Sequence, residues 1–282
     1  MERKLRVRLI LFVLLFSFFN EFGIQTLLED GVLERLDQDT VISSGFRDHI
    51  LNEEIISYMK KDKKAYRTAG LYLLESKFSY RPFSLPYSEA TFDKLYRKWK
   101  KKKEWKEYEK TCSAIWNDLQ YFPVPILRDS GRLLVSYQDS WMNERTYGGR
   151  RGHEGTDLMA DKDIPGLYPV VSITDGVIKN KGWLEKGGYR IGILSPSGGY
   201  FYYAHLDSYT NVKEGDKVQA GQILGYMGNT GYGKEGTKGK FPVHLHLGIY
   251  IQHNQEEVSI NPYWILKYLE SCKRKTMVNV KS

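Results

Sequence analysis

The sequence predicts an α+β protein, in which a helical N-terminal region precedes a mainly antiparallel β domain, an open barrel or sandwich with a C-terminal helix. Up to residue 121, apolar residues recur every three or four positions, as in a helix. Residues 134–260 instead contain short β-type runs bounded by glycines. The segment Phe122-Pro123-Val124-Pro125 separates the two patterns. Asn261-Pro262 offers an N-cap and a first-turn proline for the closing helix. We therefore expect a signal or membrane anchor at 1–22, a helical region at 23–125, the β domain at 126–272 and a polar tail at 273–282.

Length and composition fit a folded protein with a substantial core. The chain has 282 residues, of which 41% are hydrophobic and 21 are tyrosines. A tyrosine content this high suits β-sheet surfaces and exposed binding grooves. The formal net charge of +8 favours an anionic environment, such as lipid headgroups, a cell-wall polymer or nucleic acid, and does not choose among them.

The N-terminus indicates export. Arg3, Lys4, Arg6 and Arg8 precede a short apolar run at 9–19. This order is typical of an export signal, although the run is short for a membrane-spanning helix. No small-x-small cleavage motif follows, so an anchor in the cytoplasmic membrane is favoured over a cleaved peptide, and both predict an extracytoplasmic, cell-surface location in a bacterium. There the two cysteines, Cys112 and Cys272, could pair, or both could pack as buried thiols.

Two helical stretches are predicted before the boundary. Residues 45–80 follow a helical apolar pattern that prolines then interrupt. Residues 88–121 form the clearest helix, because Trp105, Cys112 and Ile115 lie on one apolar face. The four lysines at 100–103 fit a solvated helix face, or contact with anionic wall or lipid, better than a nucleic-acid patch, since no nucleic-acid-binding fold accompanies them. No nucleic-acid partner is therefore expected.

Two histidines mark the most informative strand, at 242–251. Alternate residues of a strand point to one side, so His244 and His246 project together while Leu245 points the other way. Both histidines could ligate one metal, or one could ligate it while the other acts as an acid or base. An inert pair on a solvated strand face is the alternative. Matching ligands elsewhere in the chain decide among these interpretations.

Three further residues complete a candidate site in the β domain. His153 and Asp157 are four apart, and Gly152 and Gly155 argue against a helix, so a turn or strand end would bring the two side chains together. His205 lies on another β-run. Zinc in a hydrolytic site has three protein ligands and keeps a fourth position for water. A His, Asp, His set would satisfy this pattern and leave two histidines for proton transfer and oxyanion stabilisation.

At these motifs the sequence resembles the M23 zinc metallopeptidases of the lysostaphin/LytM type. The matching segments, in order, are His153-x-x-x-Asp157, Tyr203-Ala204-His205-Leu206 and His244-Leu245-His246. The stretches at 166–176 and 212–225 are similar as well. The resemblance covers residues 134–260, leaves out the helical part, and implies an M23-like catalytic fold.

The resemblance also implies a role for each site residue. The ligands of one Zn²⁺ per catalytic domain would be His153, Asp157 and His246. His244 would be the general base on the zinc water, His205 would help to hold the developing oxyanion, and Tyr203 would add a hydrogen bond there. Leu247 and Gly248 stand where the family commonly has Phe and Glu, which predicts an altered pocket shape with metal binding retained.

The implied function is hydrolysis of peptide bonds in bacterial peptidoglycan, in stems or cross-bridges, by a metal-activated water. The expected partners are therefore a peptidoglycan peptide as substrate and the cytoplasmic membrane at the N-terminus. The alternative is a non-catalytic LytM-like domain that binds cell wall or activates another hydrolase. Intact residues at all five histidine and aspartate positions favour the enzyme.

Overall fold

The computed structural model describes residues 36–80, 83–127 and 131–270, together with the backbone of residues 277–278. The expected anchor at 1–22 lies outside these ranges. Within them, no helix combines the length and the apolar character that a membrane span requires.

The N-terminal region is helical, as expected. After a 3₁₀ turn at Thr40–Ile42, its helices are α1 Ser44–Asp48, α2 Glu53–Met59, α3 Ala65–Glu75, α4 Glu89–Trp99 and α5 Trp105–Trp116. Asn52 and Ser88 cap α2 and α4 by accepting backbone hydrogen bonds from Ile55 and Thr91. The single helix predicted at 88–121 is two helices, because residues 100–104 form a turn. The lysines at 100–103 lie in this turn, and most of them are exposed, as a solvated surface requires. Positive charge is favourable at the C-terminal end of a helix, which is where this run begins.

The β domain contains an antiparallel sheet followed by the expected closing helix, α6 Tyr263–Glu270. Its strands are β1 Ile126–Leu127, β2 Val135–Ser136, β3 Glu144–Arg145, β4 Arg151–Gly152, β5 Thr156–Ala160, β6 Pro169–Val171, β7 Gly176–Leu184, β8 Gly188–Leu194, β9 Tyr200–Tyr209, β10 Lys217–Val218, β11 Ile223–Met227, β12 His244–His253, β13 Glu256–Ile260 and β14 Met277–Val278. Among the described residues the main path of the sheet is β10-β7-β8-β9-β12-β5-β2. Strand β14, inside the expected polar tail, pairs in parallel with β1.

Strand β12 lies near the middle of this sheet and separates the core from the opposite face. Its apolar residues Leu245, Leu247 and Ile249 are fully buried in the core. His244 and His246 alternate with them and therefore point to the other face. The alternation predicted for this strand is confirmed.

The helical region packs against the β domain next to the segment that carries His153. Arg47 of α1 forms an ion pair with Glu154 at 2.7 Å and donates a hydrogen bond to the carbonyl of Ser259 at 3.1 Å. The indole of Trp141 donates a hydrogen bond to Asp48 at 2.9 Å. Residues of both regions contribute to one continuous hydrophobic core. The helical region is therefore joined to the β domain by polar contacts as well as by apolar packing, and the pair Arg47–Glu154 reaches the loop that precedes β5.

His49 is a fully buried polar residue in the helical region. The indole nitrogen of Trp116 donates a hydrogen bond to Nε2 of His49 at 2.8 Å, and Nδ1 donates one to the carbonyl of Phe46 at 3.1 Å. Both ring nitrogens are thus satisfied in the neutral form. Burial lowers the pKa of His49 from 6.5 to about 4, against the opposing effect of the bond to Phe46. Cys112, in the same region, is a buried free thiol, while Cys272 lies outside the described residues.

Because the folded protein holds His49 neutral, His49 should make folding sensitive to acid. Its stabilising effect is complete above pH 6.5 and is lost as the pH falls towards 4, a change of about 3 kcal/mol. His49→Asn, which tolerates the positive φ at this position, should lower the free energy of unfolding at pH 7 and flatten its decline between pH 6.5 and 4. Urea unfolding of metal-free protein across this range tests the prediction. His253→Asn is the control, and equal slopes in all three proteins would contradict it.

Candidate metal centre and cleft

Three side chains predicted as metal ligands converge on one point. Nε2 of His153 lies 3.1 Å from Oδ1 of Asp157 and 3.0 Å from Nδ1 of His246. Nδ1 of His246 lies 3.0 Å from the same oxygen of Asp157. Two imidazole nitrogens and one carboxylate oxygen thus form a compact triangle. This is a donor set that suits a metal ion with nitrogen and oxygen ligands.

Strand pairing and a tight turn bring these ligands together. In the antiparallel pair β5–β12, His246 stands directly opposite Asp157. His153 lies between β4 and β5, and its Nδ1 bonds to the carbonyl of Ser140 at 3.1 Å, which leaves Nε2 directed at the other two ligands. A Cβ on Gly155 would lie 2.4 Å from the ring of His246. Only glycine therefore allows the turn to pass this close to the ligand.

The charge states of Asp157 and His246 favour metal binding. Burial raises the pKa of Asp157, but hydrogen bonds with His153 and His246 outweigh burial and hold the pKa well below its usual range. Arg145 donates a hydrogen bond to Oδ2 of Asp157 at 2.6 Å, so Oδ1 is the oxygen turned towards the histidines. Burial lowers the pKa of His246, which keeps its imidazole neutral. An ionised carboxylate and a neutral imidazole are the forms that bind a metal.

His244 and His205 stand beside the donor triangle, and both bond to a backbone carbonyl through Nδ1. Nδ1 of His244 bonds to the carbonyl of Pro242, and Nδ1 of His205 to that of Thr230, both at 2.8 Å. A carbonyl can only accept, so Nδ1 carries the proton in both rings and Nε2 has a free lone pair in the neutral form. Burial lowers the pKa of both histidines, most strongly that of His205. Their ring centroids are 4.7 Å apart, so two proton-accepting nitrogens lie side by side in the cleft.

The structure does not bring Tyr203 into the site, which corrects the expected position of this residue. Its side chain is fully buried in the core, and its hydroxyl accepts a hydrogen bond from the amide of Ile173 at 2.8 Å. A β-bulge in β9 interrupts the alternation, and His205 at this bulge has a φ of +61°. His205 and Tyr202 therefore both reach the cleft, while Tyr203 points away.

The metal centre lies in a cleft of about 590 Å³. Sequence reasoning missed several of its lining residues: Arg145, Arg190, Tyr200, Tyr202, Tyr232, Phe241 and Tyr250. Phe241 packs edge-on against His205 and His244, with ring centroids 4.6 and 4.9 Å away. The high tyrosine content of the sequence was a signal that tyrosines line a groove. It does not show which of the tyrosines face the site.

The sheet, its groove and this donor set together define a metallopeptidase. Residues 151–262 match the family model described as Peptidase family M23, and residues 31–118 match the one described as LytM, N-terminal domain. A crystal structure from Ruminococcus gnavus, of a protein assigned provisionally as the glycyl-glycine endopeptidase lytM, is 51% identical to this chain, with a TM-score of 0.82. That match covers 89% of this chain and 99% of the other. The chain therefore belongs to peptidase family M23.

Two known endopeptidases are similar to part of this chain. The L-Ala–D-Glu endopeptidase of Bacillus subtilis is 44% identical over 143 residues, which cover 50% of this chain and 41% of that protein. Glycyl-glycine endopeptidase ALE-1 of Staphylococcus capitis is 38% identical over 109 residues, which cover 34% of this chain and 29% of that protein. This chain thus spans less than half the length of either endopeptidase.

The close approach of Gly155 to His246 allows the role of His246 as a metal ligand to be tested by a substitution at Gly155. Gly155→Ala would place a methyl group against the imidazole and only 2.7 Å from the carbonyl of Leu247, so the ligand must move. We expect the metal affinity to fall by about 10- to 100-fold, as when other supports of a ligand are lost. Competition with a chelator measures the metal affinity of each variant.

Gly152→Ala, at the end of β4 and three residues before Gly155, is the matched control. Its added methyl group would meet the flexible end of the Met142 side chain, which can move aside. Equal metal affinities for Gly155→Ala and Gly152→Ala would contradict the proposed packing of Gly155 on His246.

Proposed function

We propose that this protein is a zinc-dependent endopeptidase that hydrolyses peptide bonds of bacterial peptidoglycan, in stems or cross-bridges. The observation that carries the proposal is the separation of five side chains into two groups within one cleft. Three donors converge on a single point, while His244 and His205 present free lone pairs beside it. A site that only bound cell wall would have no use for two buried proton acceptors next to a ligand set.

His153, Asp157 and His246 would hold the metal. Two imidazoles and one carboxylate, with room in an open cleft for a further ligand, match hydrolytic zinc sites. When bound, zinc would supply Lewis acidity that polarises the scissile carbonyl and makes a water more acidic.

We assign the general base to His244. Its Nε2 would accept a proton from the attacking water and return it to the leaving nitrogen as the C–N bond breaks. His205 has the same tautomer, so its neutral Nε2 accepts hydrogen bonds and cannot donate one. His205 would therefore support a developing oxyanion only after its Nε2 has gained a proton, and burial keeps that proton away at rest.

The location of peptidoglycan agrees with the N-terminal sequence. We propose that residues 1–22 direct export and anchor the chain in the cytoplasmic membrane, so that the catalytic domain acts outside the cytoplasm. The two named relatives differ in the bonds that their names specify, L-Ala–D-Glu and Gly–Gly. Both bond types are therefore candidate substrates here.

Product analysis tests the proposed function. Zinc-loaded protein is incubated with purified peptidoglycans that contain glycine bridges or direct cross-links, and mass spectrometry identifies the new termini. We expect new amino groups at one defined bond. Stoichiometric zinc without cleavage of any of these peptidoglycans would contradict the proposal and favour a binding role.

His244 and His246 of β12 should respond differently to truncation. His246→Ala removes a ligand, so both zinc and activity should be lost. His244→Ala removes only the base, so most of the zinc should remain while the rate falls by about 100-fold or more. Elemental analysis and amino-group release measure the two effects, with His253→Ala as a control on the same strand. Equal zinc loss in both variants would refute the assignment.

A further inference from the structure

Arg190 occupies the cleft beside the metal centre. Tyr189 pairs with Leu206 and Ile191 pairs with Tyr203, so Arg190 on β8 lies opposite the bulge of β9 that contains Ala204 and His205. Ala204 pairs in turn with His246 on β12. At a strand spacing of about 4.8 Å, the Cα of Arg190 lies about 10 Å from that of His246.

In the register of the sheet, Ala204 of β9 lies between Arg190 and His246, and its side chain is small. Both Arg190 and His246 line the same cleft. A peptide bound at the metal centre would therefore pass within reach of the guanidinium group. One residue of an extended chain spans about 3.4 Å, so the contact would fall within about three residues of the scissile bond.

The guanidinium group of Arg190 has no acidic partner among the residues that the structure describes. Its Nη1 atom is buried and makes no hydrogen bond there. Arg190 and Tyr202 both line the cleft, and the charge of Arg190 partly offsets the rise that burial gives to the pKa of Tyr202. Glu257 lines the same cleft, yet it is exposed and forms no ion pair with Arg190 in the described part of the chain.

A buried, unpaired N–H group of a cation is costly, and the cost is recovered when a ligand supplies an acceptor. The planar guanidinium group fits a carboxylate through two parallel hydrogen bonds. The surrounding tyrosines Tyr200 and Tyr202 give the ligand an aromatic wall and further hydrogen-bonding groups.

We propose that Arg190 binds a free carboxylate of the peptide substrate, on an acidic residue near the scissile bond. This inference rests on the proposed function and narrows its substrate class to acidic peptides. Replacing that carboxylate by an amide should weaken binding by about 10- to 100-fold, the usual effect of losing a charged hydrogen-bonded pair.

Binding is measured by calorimetry with two C-terminally amidated peptides, L-Ala-D-Glu-L-Lys-NH₂ and L-Ala-D-Gln-L-Lys-NH₂, which differ only in the one side-chain carboxylate. The zinc-loaded full chain is used, in the wild type and in a His244→Ala background that stops turnover. The acid peptide should bind at least about tenfold more tightly than the amide. Arg190→Gln should abolish this preference, and Arg190→Lys should restore part of it.

Lys186→Gln is the matched control, because it removes one positive charge from the same cleft. It should leave the preference for the acid peptide almost intact. Equal binding of both peptides by the wild type, no binding of either, or an equal loss of preference in Lys186→Gln and Arg190→Gln would each overturn the assignment. A wild type that binds the acid peptide selectively but cleaves none of the purified peptidoglycans would refute the proposed function and leave the role of Arg190 in carboxylate binding standing.

Discussion

The pairing of β12 with its two neighbours is the constraint on which the site depends. On one side the register sets His246 opposite Asp157, and on the other it sets His246 opposite Ala204. A slip of one residue would turn His244 and His246 into the core and Leu245 into the cleft. Burial of the leucines on the other face of β12 makes that slip costly, so the hydrophobic core itself maintains the metal-binding geometry.

Two local departures from regular structure complete the arrangement. The bulge in β9 turns His205 towards the cleft, and the turn at Gly155 lets His153 approach His246. Contacts from the helical region reach the same loop, because Arg47 pairs with Glu154, the residue after His153. The helical region is thus packed against the loop that carries His153.

Much of this arrangement could be predicted from the sequence, because motif spacing and strand alternation are local properties. The antiparallel domain and the common face of His244 and His246 are examples. The bulge could not be predicted, since it depends on pairing between β8 and β9, and so Tyr203 was expected in the cleft in place of Tyr202. The position of Arg190 beside the metal centre depends on the same register. The turn that divides α4 from α5 also escaped prediction, because the apolar pattern continues on both sides of it.

The central claim is that one metal is held by two histidines and one aspartate while the two other histidines of the cleft stay free. X-ray absorption spectroscopy at the zinc edge, on the zinc-loaded full chain, tests this claim most directly because it counts the coordinated imidazoles. We expect two imidazoles coordinated to the zinc, together with oxygen ligands. Three or four coordinated imidazoles would show that His244 or His205 binds the metal, and would contradict the separation of ligands from proton acceptors.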